Sequence, residues 1–247
     1  EHELSRQLAD RYGLKRAVVC LIPESSMKPL QWHLGQAAAR LLKEVIRDGD
    51  TVGVCGGTTM LEVARALKPA KRENVSVVQL EGSLSGKGEA LIHGNEIATL
   101  FARAFDATPY FLSVPAIVEN KHLRDALTHD HNLSGILEIG KKANVAVFSV
   151  GRPGRSCILV QAGYVSSDEM DALLRKGAVG DLCSRFFDKD GLICDHSLDD
   201  RTIGLNLGEF CSKESCILVA GGLEKLHGIR GALRGGLANM LVTDEIT

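Results

Sequence analysis

The sequence predicts an α/β protein, a parallel sheet with helices on both faces, and three observations predict it. Short runs of continuous apolar residues alternate with stretches whose apolar residues recur every three or four positions. The apolar runs show no inward–outward alternation, which marks strands buried on both faces and so a parallel sheet covered by helices. Two runs far apart in the chain, Val52-Gly53-Val54-Cys55-Gly56-Gly57 and Ile217-Leu218-Val219-Ala220-Gly221-Gly222, end in Gly-Gly and lead into helical patterns. In open α/β sheets ligands bind at strand C-terminal ends, where helix N-termini attract anions.

The elements follow in order. Ala17 to Ile22 reads as a strand, and Leu34, Ala37, Ala38, Leu41, Leu42, Val45 and Ile46 fall at helical spacing. Asp48-Gly49-Asp50 is a turn before the strand Thr51 to Cys55, and Met60 to Leu67 is a helix. Asn74 to Leu80 is a strand, Asn95 to Phe105 a helix, and Tyr110 to Val114 a strand stopped by Pro115. A helix over Leu133 to Lys141 precedes the strand Val145 to Val150, and Ser167 to Lys176 is a well-capped helix. Ile217 to Ala220 is a strand, Glu224 to Arg234 a helix and Asn239 to Thr243 a last short strand. Glu81 to Gly94 and Gly151 to Tyr164 are irregular; the first is rich in Gly and Ser and directly follows a strand, as ligand-facing loops do.

Composition bounds the function. The chain has 247 residues, 45% hydrophobic and 24% charged, with net charge −2, which suits a single globular unit without a linker. Basic residues are dispersed, so the sequence carries no footprint for nucleic acid. Seven cysteines at irregular spacing, with no Cys-x-x-Cys, read as reduced thiols of a cytoplasmic protein, and Cys20, Cys55 and Cys216 as core. No apolar run approaches the ~20 residues of a membrane span. No signal peptide is visible, and the start at Glu1 without Met reads as a trimmed segment of a longer protein.

Several motifs carry candidate chemistry. Gly56-Gly57-Thr58-Thr59-Met60 offers bare amides and two hydroxyls at a helix start, which suits a phosphate; the alternative is that Thr58 or Thr59 only caps its helix. No Lys follows the glycines, so this is no P-loop, and the spacing does not match a dinucleotide fingerprint. Lys225 stands in the first turn of a helix, where the dipole disfavours a cation unless an anion is bound beside it; the alternative is an exposed surface lysine. Glu81-Gly82-Ser83 follows a strand, and Gly177-Ala178-Val179-Gly180-Asp181 ends in a carboxylate beside small residues; either acid can accept sugar hydroxyls, the alternative for Glu81 being a loop residue that faces water. Phe186 and Phe187 read as core rather than as a stacking platform. His129 and His131 are two apart and do not share a helical face, so no metal is expected there.

Taken together, Leu34-Gly35-Gln36-Ala37-Ala38, Gly53-Val54-Cys55-Gly56-Gly57-Thr58-Thr59, Val77-Val78-Gln79-Leu80-Glu81-Gly82, Val114-Pro115-Ala116-Ile117, Lys142-Ala143-Asn144-Val145-Ala146, Gly177 to Asp181, Arg185 to Gly191, Ala220 to Lys225 and Leu241 to Glu245 form an ordered set. The set resembles the C-terminal effector-binding domain of SorC-type bacterial transcriptional regulators. Arg185-Phe186-Phe187 and Arg201-Thr202-Ile203-Gly204 resemble the deoxyribonucleoside-operon branch most.

The resemblance implies a Rossmann-like fold, similar to ribose-5-phosphate isomerase, glucosamine-6-phosphate deaminase and CoA transferases. It implies a single effector-binding domain over 1–247, with 1–13 a residual linker helix and an N-terminal helix-turn-helix outside this chain. That domain would bind a sugar or, by the phosphate-type loop, a sugar phosphate, without turnover and without a cofactor. It would assemble as a homodimer or homotetramer and meet operator DNA only through the helix-turn-helix domain. Gly56, Gly57, Thr58, Thr59, Met60 and Lys225 would hold the phosphate; Glu81, Gly82, Asn95, Asp181, Gly221 and Gly222 would meet the sugar. A lysine at the position of Glu81 could form a Schiff base with an aldehyde, which Glu81 cannot, and the Glu81 carboxylate would repel a second phosphate. The rival is a sugar-phosphate isomerase or deaminase, with Glu81, Asp181 or His93 as base.

Overall fold

The computed structural model describes residues 2–84 and 94–247. In chain order the elements are α1 (His2–Tyr12), β1 (Arg16–Cys20), α2 (Leu30–Val45), β2 (Thr51–Val54), α3 (Thr58–Ala66), β3 (Ser76–Gln79), α4 (Gly94–Phe105) and β4 (Thr108–Tyr110). They continue with α5 (Lys121–Thr128), α6 (His131–Lys142), β5 (Val145–Phe148), α7 (Ile158–Gln161), α8 (Ser167–Arg175), β6 (Gly180–Leu182) and β7 (Arg185–Phe187). The last are α9 (His196–Asp199), α10 (Leu207–Phe210), β8 (Ser215–Val219), a 3₁₀ turn Leu223–Lys225, α11 (Leu226–Arg234) and β9 (Met240–Asp244).

Seven strands form one sheet in the order β1-β9-β8-β5-β2-β3-β4, every pairing parallel. The chain moves outward from β2 to β3 and β4, then returns to lay β5 on the other side of β2. That reversal opens a crevice above the C-terminal ends of β2 and β5.

Burial on both faces is explicit within single strands. Val145 and Val147 join one core with α2, α3 and α4, while Ala146 and Phe148 join a second core with α10 and α11. Ile217 and Val219 likewise alternate with Cys216 and Leu218. On α2 the buried residues Leu34, Ala37, Ala38, Leu41 and Leu42 form the stripe that the helical spacing predicts.

The strand expected over Tyr110 to Val114 is displaced to Thr108–Tyr110. At this sheet edge the Leu112 amide donates to the Gln79 side chain at 2.7 Å rather than to a strand, and the Val114 carbonyl accepts from Ser83 at 2.7 Å. A smaller third core covers the C-terminal side of the sheet, with Leu84, Ile117, Leu159, Met170, Leu173 and Phe186. It holds α7, α8 and the antiparallel hairpin β6–β7 over the crevice.

Candidate effector-binding site

A cavity of about 210 Å³ lies over the switch point. The loop after β2 and the start of α3 supply Cys55, Gly56, Gly57, Thr58 and Thr59. Glu81 and Leu84 follow β3; Ser149, Val150 and Gly151 follow β5; Ile158 and Leu159 come from α7. The hairpin gives Asp181, Cys183 and Ser184, and Lys225 comes from beyond β8.

One wall is the N-terminus of α3. Its N-cap is Gly57, at φ 113°, which has no side chain to cap with. Neither threonine hydroxyl is therefore spent on capping, and the amides of Thr58, Thr59 and Met60 are first-turn donors without intrahelical acceptors. The Gly56 amide is different: it donates to Glu81 Oε1 at 2.7 Å. Glu81 thus already occupies part of the loop with a carboxylate.

Lys225 closes the opposite side from the 3₁₀ turn that precedes α11, not from a full helical turn. Burial pulls its ammonium below the usual lysine range, and the charge of Asp181 partly restores it. Burial pushes Asp181 up to about 6, with Lys225 opposing the shift. Burial likewise pushes Glu81 up to about 7; the Gly56 amide and the Ser184 side chain oppose this and the charge of Asp181 adds to it. Gly151 leaves room for Asp181, because a Cβ there would overlap the carboxylate and displace that side chain. Ser149 Oγ is buried with no hydrogen-bond partner among the described residues.

Seven of the twelve sequence-expected positions therefore line one cavity: Gly56, Gly57, Thr58, Thr59, Glu81, Asp181 and Lys225. Five do not. The Met60 side chain is fully buried in the core under α3, which leaves only its amide for a ligand. Asn95 accepts from Gln79 Nε2 at 2.7 Å and is tied to the sheet edge. Gly82 is a close-packing glycine, where a Cβ would come within 2.6 Å of the Pro115 carbonyl oxygen. Gly221 faces Asp244 and Leu34, and the Gly222 amide donates to Asp244 Oδ1 at 3.0 Å and to Thr247 Oγ1 at 2.8 Å. That pair builds the turn that carries Lys225. His93 lies outside the described residues.

Sequence reading missed Ser149, Gly151, Leu159, Cys183 and Ser184. The signal for Ser149 was present in Phe148-Ser149-Val150-Gly151, an apolar run that turns polar at its end. Phe186 and Phe187 are core, and Cys20, Cys55 and Cys216 are buried. Asp130 caps α6, accepting from the amides of Asn132 and Leu133, and His129 Nδ1 meets the Asp125 carbonyl at 2.6 Å. The metal-type side chains that converge in the cavity are Cys55, Glu81 and Cys183, whose ligand atoms lie within 4.8 Å of one another. The two sulfurs are 2.7 Å apart, closer than the about 3.7 Å that two thiolates need on one tetrahedral ion.

The Sugar-bind family model, described as "Putative sugar-binding domain", matches residues 1–247. The chain belongs to this family, the sugar-binding domain of SorC-type transcriptional regulators. It is 40% identical to the deoxyribonucleoside regulator of Bacillus subtilis (strain 168), over 97% of this chain and 76% of that protein. It is 28% identical to the sorbitol operon regulator of Klebsiella pneumoniae, over 99% of this chain and 78% of that protein. The full-length structure of the Klebsiella pneumoniae regulator SorC superposes with a TM-score of 0.89 at 27% identity, covering 98% of this chain and 78% of that one. As a member of this family the chain is the effector-binding part of a regulator of sugar metabolism, and the Rossmann-like α/β fold is that of its solved relatives.

Proposed function

We propose that the cavity binds a monosaccharide phosphate and returns it unchanged. Thr58, Thr59 and the first-turn amides of α3 hold the phosphate from one side and Lys225 from the other. Glu81 and Asp181 accept sugar hydroxyls, and Ser149 completes the polar lining. The observation that supports this is the convergence of an uncapped helix N-terminus and a half-buried lysine on one small cavity. At about 210 Å³ the cavity is smaller than the ~300–1,000 Å³ of drug-sized sites, which favours a single sugar unit. The relative named as a deoxyribonucleoside regulator supports testing deoxypentose phosphates first.

In this reading the chain is one effector-binding domain of a cytoplasmic homo-oligomer, and operator DNA is contacted by a separate domain. Ligand binding shifts a population of domain arrangements and so changes operator affinity. No helix among the described residues is long and apolar enough to cross a membrane.

The test is thermal stabilisation by pentose, deoxypentose and hexose monophosphates, each beside its unphosphorylated sugar. At ~100 times the dissociation constant a ligand adds about 2.7 kcal/mol, a rise of roughly 5–10 °C for a domain of this size. A response to a phosphorylated sugar alone supports the reading, and a flat response to every phosphate refutes it. An NMR time course of the stabilising sugar distinguishes a sensor, which leaves the spectrum unchanged, from an isomerase, which converts it.

A further inference from the structure

We propose that Cys55 and Cys183 form a redox modification site, in which a peroxide closes a reversible disulfide across the floor of the cavity. Their sulfurs lie 2.7 Å apart. That is nearer to the about 2.05 Å of a disulfide than to the about 3.5–4.0 Å at which non-bonded heavy atoms rest. Both residues line the cavity, which gives a small oxidant its path, although each is only 4% exposed.

The backbone supplies a second, independent observation. Cys183 and Ser184 are the two turn residues of the β6–β7 hairpin, both left-handed, at φ 51° and 63°. Such a turn favours Asn-Gly, and a cysteine there carries conformational strain. The strained turn delivers the Cys183 thiol to Cys55, a contact that an Asn-Gly turn would lack.

The chemistry balances with hydrogen peroxide as two-electron oxidant. One sulfur, as thiolate, attacks a peroxide oxygen; the O–O bond breaks, leaving a sulfenic acid and a hydroxide that takes up the thiol proton. The second sulfur then displaces the sulfenic oxygen as water and the S–S bond forms. Two thiols and one peroxide give one disulfide and two waters, sulfur being oxidised and peroxide oxygen reduced. Burial pushes both thiols up, so the attacking thiolate is scarce and the reaction is slow at neutral pH. The bond ties the end of β2 to a hairpin 128 residues further on. Its formation does not rest on the sugar-phosphate reading; only its effect on a ligand would.

The experiment treats the intact chain with hydrogen peroxide, alkylates it under denaturing conditions and maps the peptides. The expected result is a link between the Cys55 and Cys183 peptides, two fewer alkylated thiols of the seven, and reversal by dithiothreitol. The oxidised chain should melt about 5–10 °C higher, because a long loop is closed. Cys183→Asn suits the left-handed turn and should fold with an unchanged circular dichroism spectrum while losing both the link and the rise in melting temperature. Should that variant fail to fold, Cys55→Ala carries the same expectation. Three outcomes overturn the proposal: both thiols stay alkylable while exposed Cys211 oxidises, the two sulfurs oxidise separately to sulfinic acids, or the reduced chain binds zinc in a Cys183-dependent way.

Discussion

Glu81→Gln isolates the electrostatics of the cavity. Burial raises this carboxyl from an ordinary 4.5 to about 7. At about 1.4 kcal/mol per pH unit, that gap makes the ionised form cost the folded state about 3 kcal/mol. The sign follows from the direction of the shift. Below pH 4.5 the group is protonated in both folded and unfolded chains and costs nothing. As pH rises the unfolded chain ionises first, so stability falls from about pH 4.5 and levels off above about pH 7. Gln keeps an oxygen for the Gly56 amide, removes the charge and should not show this fall. Asp181, raised to about 6, contributes its own slope to both proteins, so the difference between them reports Glu81. Urea unfolding at pH 5, 6, 7 and 8 should find the proteins within ~1 kcal/mol at pH 5 and the variant about 3 kcal/mol more stable at pH 8. In thermal melts this is a gain of about 6–12 °C. Parallel stability-versus-pH curves would refute the reasoning. The variant should also bind phosphorylated ligands more tightly above pH 7, having lost a like charge.

Lys225→Met should weaken a stabilising sugar phosphate about 10- to 100-fold by calorimetry, the loss of a charge-assisted hydrogen bond, and leave the unphosphorylated sugar unaffected. Arg185 is 3% exposed, and its guanidinium donates to the carbonyls of Asp199, Thr202, Gly204 and Leu205 and pairs with the Asp199 carboxylate. Arg185→Met takes a buried donor from four carbonyls and leaves the half-buried Asp199 carboxylate unpaired, and should cost about 3–5 kcal/mol in urea unfolding. Arg185→Lys should recover only part of this, because an ammonium lacks the planar fork. Buried Lys213 donates to the Gly140 carbonyl at 2.8 Å and the Lys141 carbonyl at 2.5 Å, closing the end of α6. Lys213→Met should lose about 1–3 kcal/mol of stability without changing ligand affinity, since it lies away from the cavity.

The layers were legible because strands buried on both faces and helices buried on one leave different periods in the sequence. Val145 to Phe148 needed no context to be read as a strand, and α2 declared its buried stripe. The failures have a common cause, which is competition from distant groups. Nothing local in Tyr110 to Val114 says that the Gln79 side chain takes the Leu112 amide, and so the strand ends early. The β6–β7 hairpin was invisible because Cys183-Ser184 is not turn chemistry; tertiary packing imposes the left-handed conformation.

The site divided along the same line. Thr58, Thr59 and Lys225 were legible because Gly-Gly after an apolar run marks a strand end, and strand ends in a parallel sheet converge. Met60 shows the limit of a motif: its amide lies in the first turn of α3, while its side chain belongs to the core. Gly82 and Gly221 match as motif residues, yet their lack of a side chain serves packing against Pro115 and Asp244, and Gly222 serves a left-handed turn at φ 96°. Conversely, Leu159 and the Cys183-Ser184 turn come from segments with no signature of their own, and the third core holds them over the crevice through Leu159 and Phe186. Glu81 joins the two halves. It spends its carboxylate on the loop that the phosphate reading needs, and burial leaves it balanced between its protonated and ionised forms near neutral pH. A phosphate entering beside it would meet half a negative charge at pH 7 and less at pH 6. In the proposed reading, effector binding is therefore coupled to proton uptake at Glu81, and affinity for a phosphorylated sugar should rise as pH falls from 8 to 6.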